Sequence, residues 1–147
     1  MGDYKKVLVA LDLAGETGQI VERAKAVAGK GAEIAMVHVI EPAYFYYGME
    51  PAIGALPDNF EADLLKRAQE EMAEKAKAMG VPEKLRFIER GHAPTQILRL
   101  AEDRGVDLIV LGSHGRHGWQ LLLGSTANAV LHRAKCDVLA VRVGKES

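Results

Sequence analysis

Hydrophobic residues fall along this chain in two alternating rhythms. Val7–Leu11, Ile34–Ile40, Asp107–Gly112 and Asp137–Val143 each carry a short, nearly continuous apolar run. Runs of that length suit strands buried on both faces, as in a parallel sheet. Between them, apolar residues recur every three or four positions. Ile20, Ala24, Val27 and Ala28 form one such stripe, closed by Gly29 and Gly31. Leu64, Leu65, Ala68, Met72, Ala76 and Met79 form another, closed by Gly80. Ile97, Leu98 and Ala101 precede Gly105, and Ala127, Val130 and Leu131 lie in the stretch from Ser125 to Arg133. These stripes predict helices, with glycine as the stop signal.

Local signals refine the reading. Asp58 with Glu61 three residues later has the form of a capping box. Pro94 suits the first turn of the helix it opens. Leu85–Ile88 is a shorter, mixed-polarity strand that fits a sheet edge. The stretch from Ala43 to Pro57 has no periodicity and carries Tyr44, Phe45, Tyr46 and Tyr47. It reads either as a functional loop or as a flap on the core. The resulting order, β-α-β-α-β-α-β-α-β, predicts an α/β fold: a parallel sheet with helices on both faces and right-handed crossovers.

Composition narrows the function classes. At 147 residues the chain is read as a single domain, residues 1–147. Its 19 Lys+Arg against 20 Asp+Glu leave a net charge of −1, which argues against nucleic acid or an anionic membrane as partner. No apolar run approaches a membrane span, and Met1–Lys6 leads into a strand instead of a signal-peptide core. Cys136 is alone, so neither a disulfide framework nor a multi-Cys metal site is expected. The expectation is a cytoplasmic protein.

The 15 glycines are more specific than the charge. Four of them cluster after the fourth strand, in Gly112-Ser113-His114-Gly115-Arg116-His117-Gly118 and again at Gly124-Ser125-Thr126. In open α/β sheets, ligands bind beyond the carboxyl ends of strands where the strand order reverses. If the first and fourth strands are neighbours there, Asp12 shares a crevice with this glycine cluster. Glycine lets backbone N–H groups approach a phosphate, and a helix beginning near Ser125 points its free N–H groups at an anion. Arg116 can add a charge-assisted bond, while the Asp12 carboxylate suits ribose hydroxyls or a base amine. A nucleotide lying across the crevice accounts for the set. Neither the Walker A pattern nor Gly-x-Gly-x-x-Gly occurs.

Over nearly its whole length the chain resembles the universal stress protein family. The resemblance rests on Val9-Ala10-Leu11-Asp12, Val37-His38-Val39, the block from Gly105 to Gly115, Leu123-Gly124-Ser125-Thr126-Ala127 and Val138-Leu139-Ala140-Val141-Arg142. It implies a Rossmann-like five-stranded parallel sheet in the order 3-2-1-4-5, and ATP or AMP, alone or with Mg²⁺, as a regulatory ligand. It places Gly112, Gly115, Gly124 and Ser125 around the phosphates; Ser113, His114, Arg116 and Thr126 beside them are read as nucleotide-binding too. Ala10, Leu11, Asp12 and Val39 then line the adenosine. It also implies a homodimer built on the last strand, through Val138, Leu139, Ala140, Val141, Arg142 and Val143. That strand is apolar and, as a sheet edge, would invite pairing.

Two departures from the family pattern stand out. Eight residues, not nine, separate Gly115 from Gly124, and Ala14 stands where a Ser or Thr is usual. The competing reading is therefore a dimeric interaction protein that has lost nucleotide binding. A slow ATP-hydrolysing enzyme is a third, although no acid–base pair accompanies the glycines, and the expectation is no catalysis. His114 and His117 lack a third ligand nearby, so no metal site is expected. His38, inside an apolar strand, reads as a hydrogen-bonded core histidine. Lys135 beside Cys136 could lower the thiol pKa, but an ordinary buried or dimer-proximal thiol is the simpler reading. Trp119 with Leu121, Leu122 and Leu123 suggests cover for core or for a partner. The signalling partner is not legible.

Overall fold

A computed structural model describes residues 4–12, 17–41, 60–113 and 124–142. The irregular 43–57 stretch, Asp58, the residues from His114 to Leu123, and Val143 lie outside them, as does the Glu61 side chain. The elements in chain order are β1 (Tyr4–Leu11), α1 (Thr17–Val27), β2 (Ala28–Ile40), α2 (Phe60–Ala78), β3 (Arg86–Arg90), α3 (Ala93–Asp103), β4 (Leu108–Gly112), α4 (Ser125–Arg133) and β5 (Asp137–Val141). The strands form one parallel sheet in the order β3-β2-β1-β4-β5. The alternation expected from the sequence is thus present, and β1 and β4 are neighbours.

The order follows from which strands can be buried. Val7–Leu11 of β1 and Leu108–Leu111 of β4 are at most 8% exposed, so both faces of the central pair are covered. A right-handed crossover puts α1 and α2 on one face as the chain steps from β1 to β3. The return to β4 and β5 puts α3 and α4 on the other. Lys25 of α1 donates its ammonium to the Met79 carbonyl just after α2 (2.6 Å), joining the first pair. Ile20, Val21 and Ala24 of α1, Met72 and Ala76 of α2, Ile97 and Ala101 of α3, and Ala127 and Val130 of α4 all enter one core with the central strands. Among the described residues, no helix is long and apolar enough to cross a membrane.

Several expectations need correction. The strand expected from Ile34 begins at Ala28. Gly29 and Gly31 do not merely end a helix; they carry an irregularity in which the β1 register jumps from Tyr4–Ala28 to Lys6–Glu33. Gly31 sits at φ +79°, a left-handed conformation that glycine adopts without a Cβ clash. Leu131 does not face inward but is 41% exposed, because Val130 beside it already takes the core side of α4. The third strand runs Arg86–Arg90, one residue later than expected, since Leu85 is held in a turn of 3₁₀ helix. It does form a sheet edge, as its mixed polarity suggested.

An unforeseen tie secures the amino end of the central pair. The Asp107 carboxylate accepts the N–H groups of Lys5 (2.8 Å) and Lys6 (3.0 Å). Asp107 was expected to open β4; it instead precedes the strand and fixes the start of β1 to it.

Candidate functional site

β1 and β4 run side by side with Ala10 opposite Leu111, so Leu11-Asp12 and Gly112-Ser113 emerge together at the carboxyl edge of the sheet. β2 lies on the other side of β1, with Leu11 opposite His38 and Val39 one residue beyond. The carboxyl end of β2 is secured by the Gly91 N–H, which donates to the Ile40 carbonyl (3.0 Å). Ala10, Leu11 and Val39 are buried, at 8%, 6% and 9% exposure. Asp12 is exposed at the rim.

Ser113 anchors the opposite wall through its main chain. Its N–H donates to the Val141 carbonyl of β5 (2.8 Å), and its carbonyl accepts the Gly124 N–H (2.6 Å). The two ends of the glycine-rich segment are therefore side by side, one at the tip of β4 and the other at the start of α4. The Ser113 hydroxyl oxygen is buried and has no hydrogen-bond partner among the described residues. Ordinarily a buried polar atom finds one.

α4 starts at this point. Gly124 is its N-cap, at φ −63° and ψ 154°, and the Gly124 carbonyl accepts the Asn128 N–H (2.9 Å). Ser125 is the first helical residue, as the stretch from Ser125 to Arg133 led one to expect. Glycine has no side chain to accept an orphan N–H, and no acidic residue stands in the first turn. The positive end of the helix is thus presented without its usual side-chain acceptor. Ser125 is exposed and Thr126 half-buried beside it.

The structure accordingly gathers Ala10, Leu11, Asp12, Val39, Gly112, Ser113, Gly124, Ser125 and Thr126 along one sheet edge. His114, Gly115 and Arg116 lie outside the described residues. Chemically, the β4–α4 wall offers donors for an anion, whereas Asp12 on the β1 side offers an acceptor for hydroxyl or amine hydrogens. Among the described residues, no three His, Cys, Asp or Glu side chains are grouped as a metal would require.

Sequence reasoning missed two parts of this arrangement. One is the double main-chain role of Ser113, for which a sequence carries no signal. The other is the partner of His38, which is hydrogen-bonded as expected: its Nδ1–H donates to the Leu11 carbonyl (2.9 Å). A lone polar residue in an apolar run was the available hint, and it was read only as a satisfied core histidine. The thiol of Cys136, by contrast, lies at the amino end of β5, away from this edge. Its pKa is raised by burial first, then by Asp137 and Asp107. Lys135 does not lower it; its ammonium turns to Glu102 (3.3 Å).

Comparisons with known proteins bear on the same frame. Residues 3–142 match the model of the universal stress protein family. Universal stress protein A homolog 2 of Coxiella burnetii is 44% identical, over 97% of this chain and 98% of its own length. Homolog 1 of the same organism is 40% identical, over 94% and 96%. Among solved structures, the hypothetical protein MJ0577 superposes with a TM-score of 0.72 at 27% identity, covering 97% of this chain and 99% of its own. A universal stress protein in complex with cAMP gives 0.61 at 26%, covering 96% and 98%. Sheet order, full-length coverage and identity agree: the chain belongs to the universal stress protein family.

Proposed function

We propose that this chain is a single-domain, cytoplasmic, homodimeric regulatory protein of the stress response that binds an adenine nucleotide. The observation that carries the reading is the β4–α4 junction. A helix start whose glycine N-cap supplies no side-chain bond, and a hydroxyl without a partner among the described residues, meet at the edge where β1 delivers Asp12. Donors lacking an acceptor fit the phosphate of ATP or AMP; the carboxylate fits the sugar or base. Gly112, Ser113, Gly124, Ser125 and Thr126 would hold the phosphates, joined by His114, Gly115 and Arg116. Ala10, Leu11, Asp12 and Val39 would line the adenosine. That a related protein of the same fold is seen with cAMP supports an adenine nucleotide as the class of ligand.

The nucleotide acts here as a signal and not as a substrate, in keeping with a family whose members are generally regulatory. The homodimer would form on β5. Val138, Leu139 and Ala140 are only half-buried there, and the strand is at the end of the sheet. A second copy would cover that edge.

The test is direct. Denature the purified protein, and assay the supernatant for adenine nucleotide by absorbance and mass; then melt the nucleotide-free protein with and without ATP. A ligand at about 100 times its Kd adds about 2.7 kcal/mol to the folded state. For a chain of this size that is a rise of roughly 5–10 °C in Tm. No released nucleotide together with no shift would overturn the reading in favour of a dimer that has lost its ligand.

A further inference from the structure

The carboxyl end of β1 is steadied by a side chain of β2. Ala10 has ladder partners on both sides, Val37 and Leu111, whereas the pairing of β1 with β4 ends at that residue. Leu11, the last residue of β1, keeps only β2 beside it, with His38 directly opposite. The Leu11 carbonyl accepts the His38 Nδ1–H at 2.9 Å. A carbonyl cannot donate, so Nδ1 carries the hydrogen.

The Leu11 carbonyl and the Asp12 N–H belong to one planar peptide unit. A bond that fixes the carbonyl therefore fixes the plane from which the Asp12 side chain departs. Asp12 itself is exposed at the rim. Along β2, the residue after His38 is Val39. One imidazole thus joins the two strand ends that flank the adenosine side of the crevice.

We propose that His38 is a positioning residue of the nucleotide site. Its ring holds the Leu11–Asp12 peptide, and through it the Asp12 carboxylate, in register with Val39, without itself touching the ligand. The inference rests on the nucleotide reading above.

The test compares three variants of the full chain. Asn places an N–H on its γ-carbon as the imidazole does at Nδ1, so His38→Asn keeps the donor. His38→Leu removes it, and His38→Gln carries it one methylene too far, providing a polar second variant should the Leu chain fold poorly. ATP affinity is measured by calorimetry, the Asp12 amide signal by NMR on nucleotide-free protein, and Tm alongside.

The expected result is an ATP Kd about tenfold weaker in His38→Leu and His38→Gln, the scale of one lost hydrogen bond. The Asp12 amide should shift in both. His38→Asn should return affinity to within about threefold of wild type and restore the amide signal, even if its Tm stays lowered by lost ring packing. A purely structural histidine would lower Tm in all three and leave ATP affinity alone. Unchanged affinity in His38→Leu and His38→Gln overturns the proposal, and so does equal weakening in all three. A wild-type chain that binds no ATP overturns the nucleotide reading and the ligand role of His38 with it. The Asp12 amide then still reports whether the ring holds the peptide, which separates the two failures.

Discussion

The carbonyl of Ser113 accepts the N–H of Gly124 across ten intervening residues, at 2.6 Å. The bond sets the start of α4 beside the tip of β4 whatever path the segment between them takes. The shortened spacing between Gly115 and Gly124 therefore need not displace Gly124 from the crevice, because its place is set from Ser113. Ser113 is in turn held by Val141 of β5. The β4–α4 wall and the edge strand thus share one residue.

The Ser113 hydroxyl makes no hydrogen bond among the described residues. Replacing it with a methyl group should therefore not cost stability. We expect Ser113→Ala to match or exceed wild type in the melt of nucleotide-free protein, by up to about 1 kcal/mol. The ATP-induced rise in Tm should shrink if the hydroxyl serves a phosphate. A substantially destabilised nucleotide-free variant would show that the hydroxyl has a structural partner after all.

Gly124 permits a cleaner separation of fold from ligand. Its φ of −63° and ψ of 154° are open to any residue, so Gly124→Ala should leave α4 intact. Glycine outranks alanine at an N-cap, so apo stability should fall by about 0.5–1 kcal/mol. The added methyl group would stand among donors proposed for the phosphate, and ATP affinity should fall about tenfold or more. Equal ATP affinity in calorimetry would remove Gly124 from the site.

Asp107 is a structural counterpart at the far end of the sheet. Its carboxylate takes two N–H groups of β1, from Lys5 and Lys6. Asp107→Ala should lower the free energy of urea unfolding by about 1.5–3 kcal/mol, the range for hydrogen bonds to a charged group. Nucleotide affinity of the folded variant should stay as it is, since the site lies at the opposite edge.

How much of this was legible beforehand follows from the physics of each feature. Val7–Leu11 and Leu108–Leu111 announce buried central strands because both of their faces must be apolar. The weak Leu85–Ile88 pattern announces an edge for the converse reason. The strand order needed the family resemblance, since periodicity says nothing about neighbours. The helix Ser125–Arg133 was legible from its apolar stripe, although residue preference cannot say that Gly124 would be its cap. Gly29 and Gly31 are ambiguous for a similar reason, as glycine serves a helix stop and a strand irregularity equally well. Main-chain ties such as Ser113–Gly124 leave no trace in residue type. The bonds of His38 and Asp107 do involve side chains, but their partners are backbone groups far along the chain.

The thiol of Cys136 gives a pH-dependent prediction. Burial raises its pKa, and the carboxylates of Asp137 and Asp107 add to the shift. Only the thiolate reacts, so iodoacetamide should modify the native protein more slowly than the unfolded chain at pH 8. Asp137→Asn should lower the midpoint of the rate–pH curve by removing one repulsive charge, without returning it to that of the unfolded chain. The sign of the linked stability follows: the native thiol keeps its proton to higher pH than the unfolded one. Its contribution is intact below the unfolded pKa and is lost as pH rises through the native value. A midpoint below that of the unfolded chain would reverse the assignment.

The edge strand supplies the last prediction. Val141 aims its carbonyl at Ser113, toward β4. Main-chain groups alternate sides along an extended strand, so Leu139 shares that direction while Val138 and Ala140 point theirs away from the sheet. Pairing with a second copy would use the outward set. Ala140→Pro deletes one outward N–H and spares the ladder to β4, whereas Leu139→Pro deletes a bond within the sheet. We expect the Ala140→Pro chain to be a folded monomer by light scattering and circular dichroism, and the Leu139→Pro chain to be destabilised by about 3 kcal/mol or more. A dimer of undiminished tightness in Ala140→Pro would mean that copies associate through some other surface.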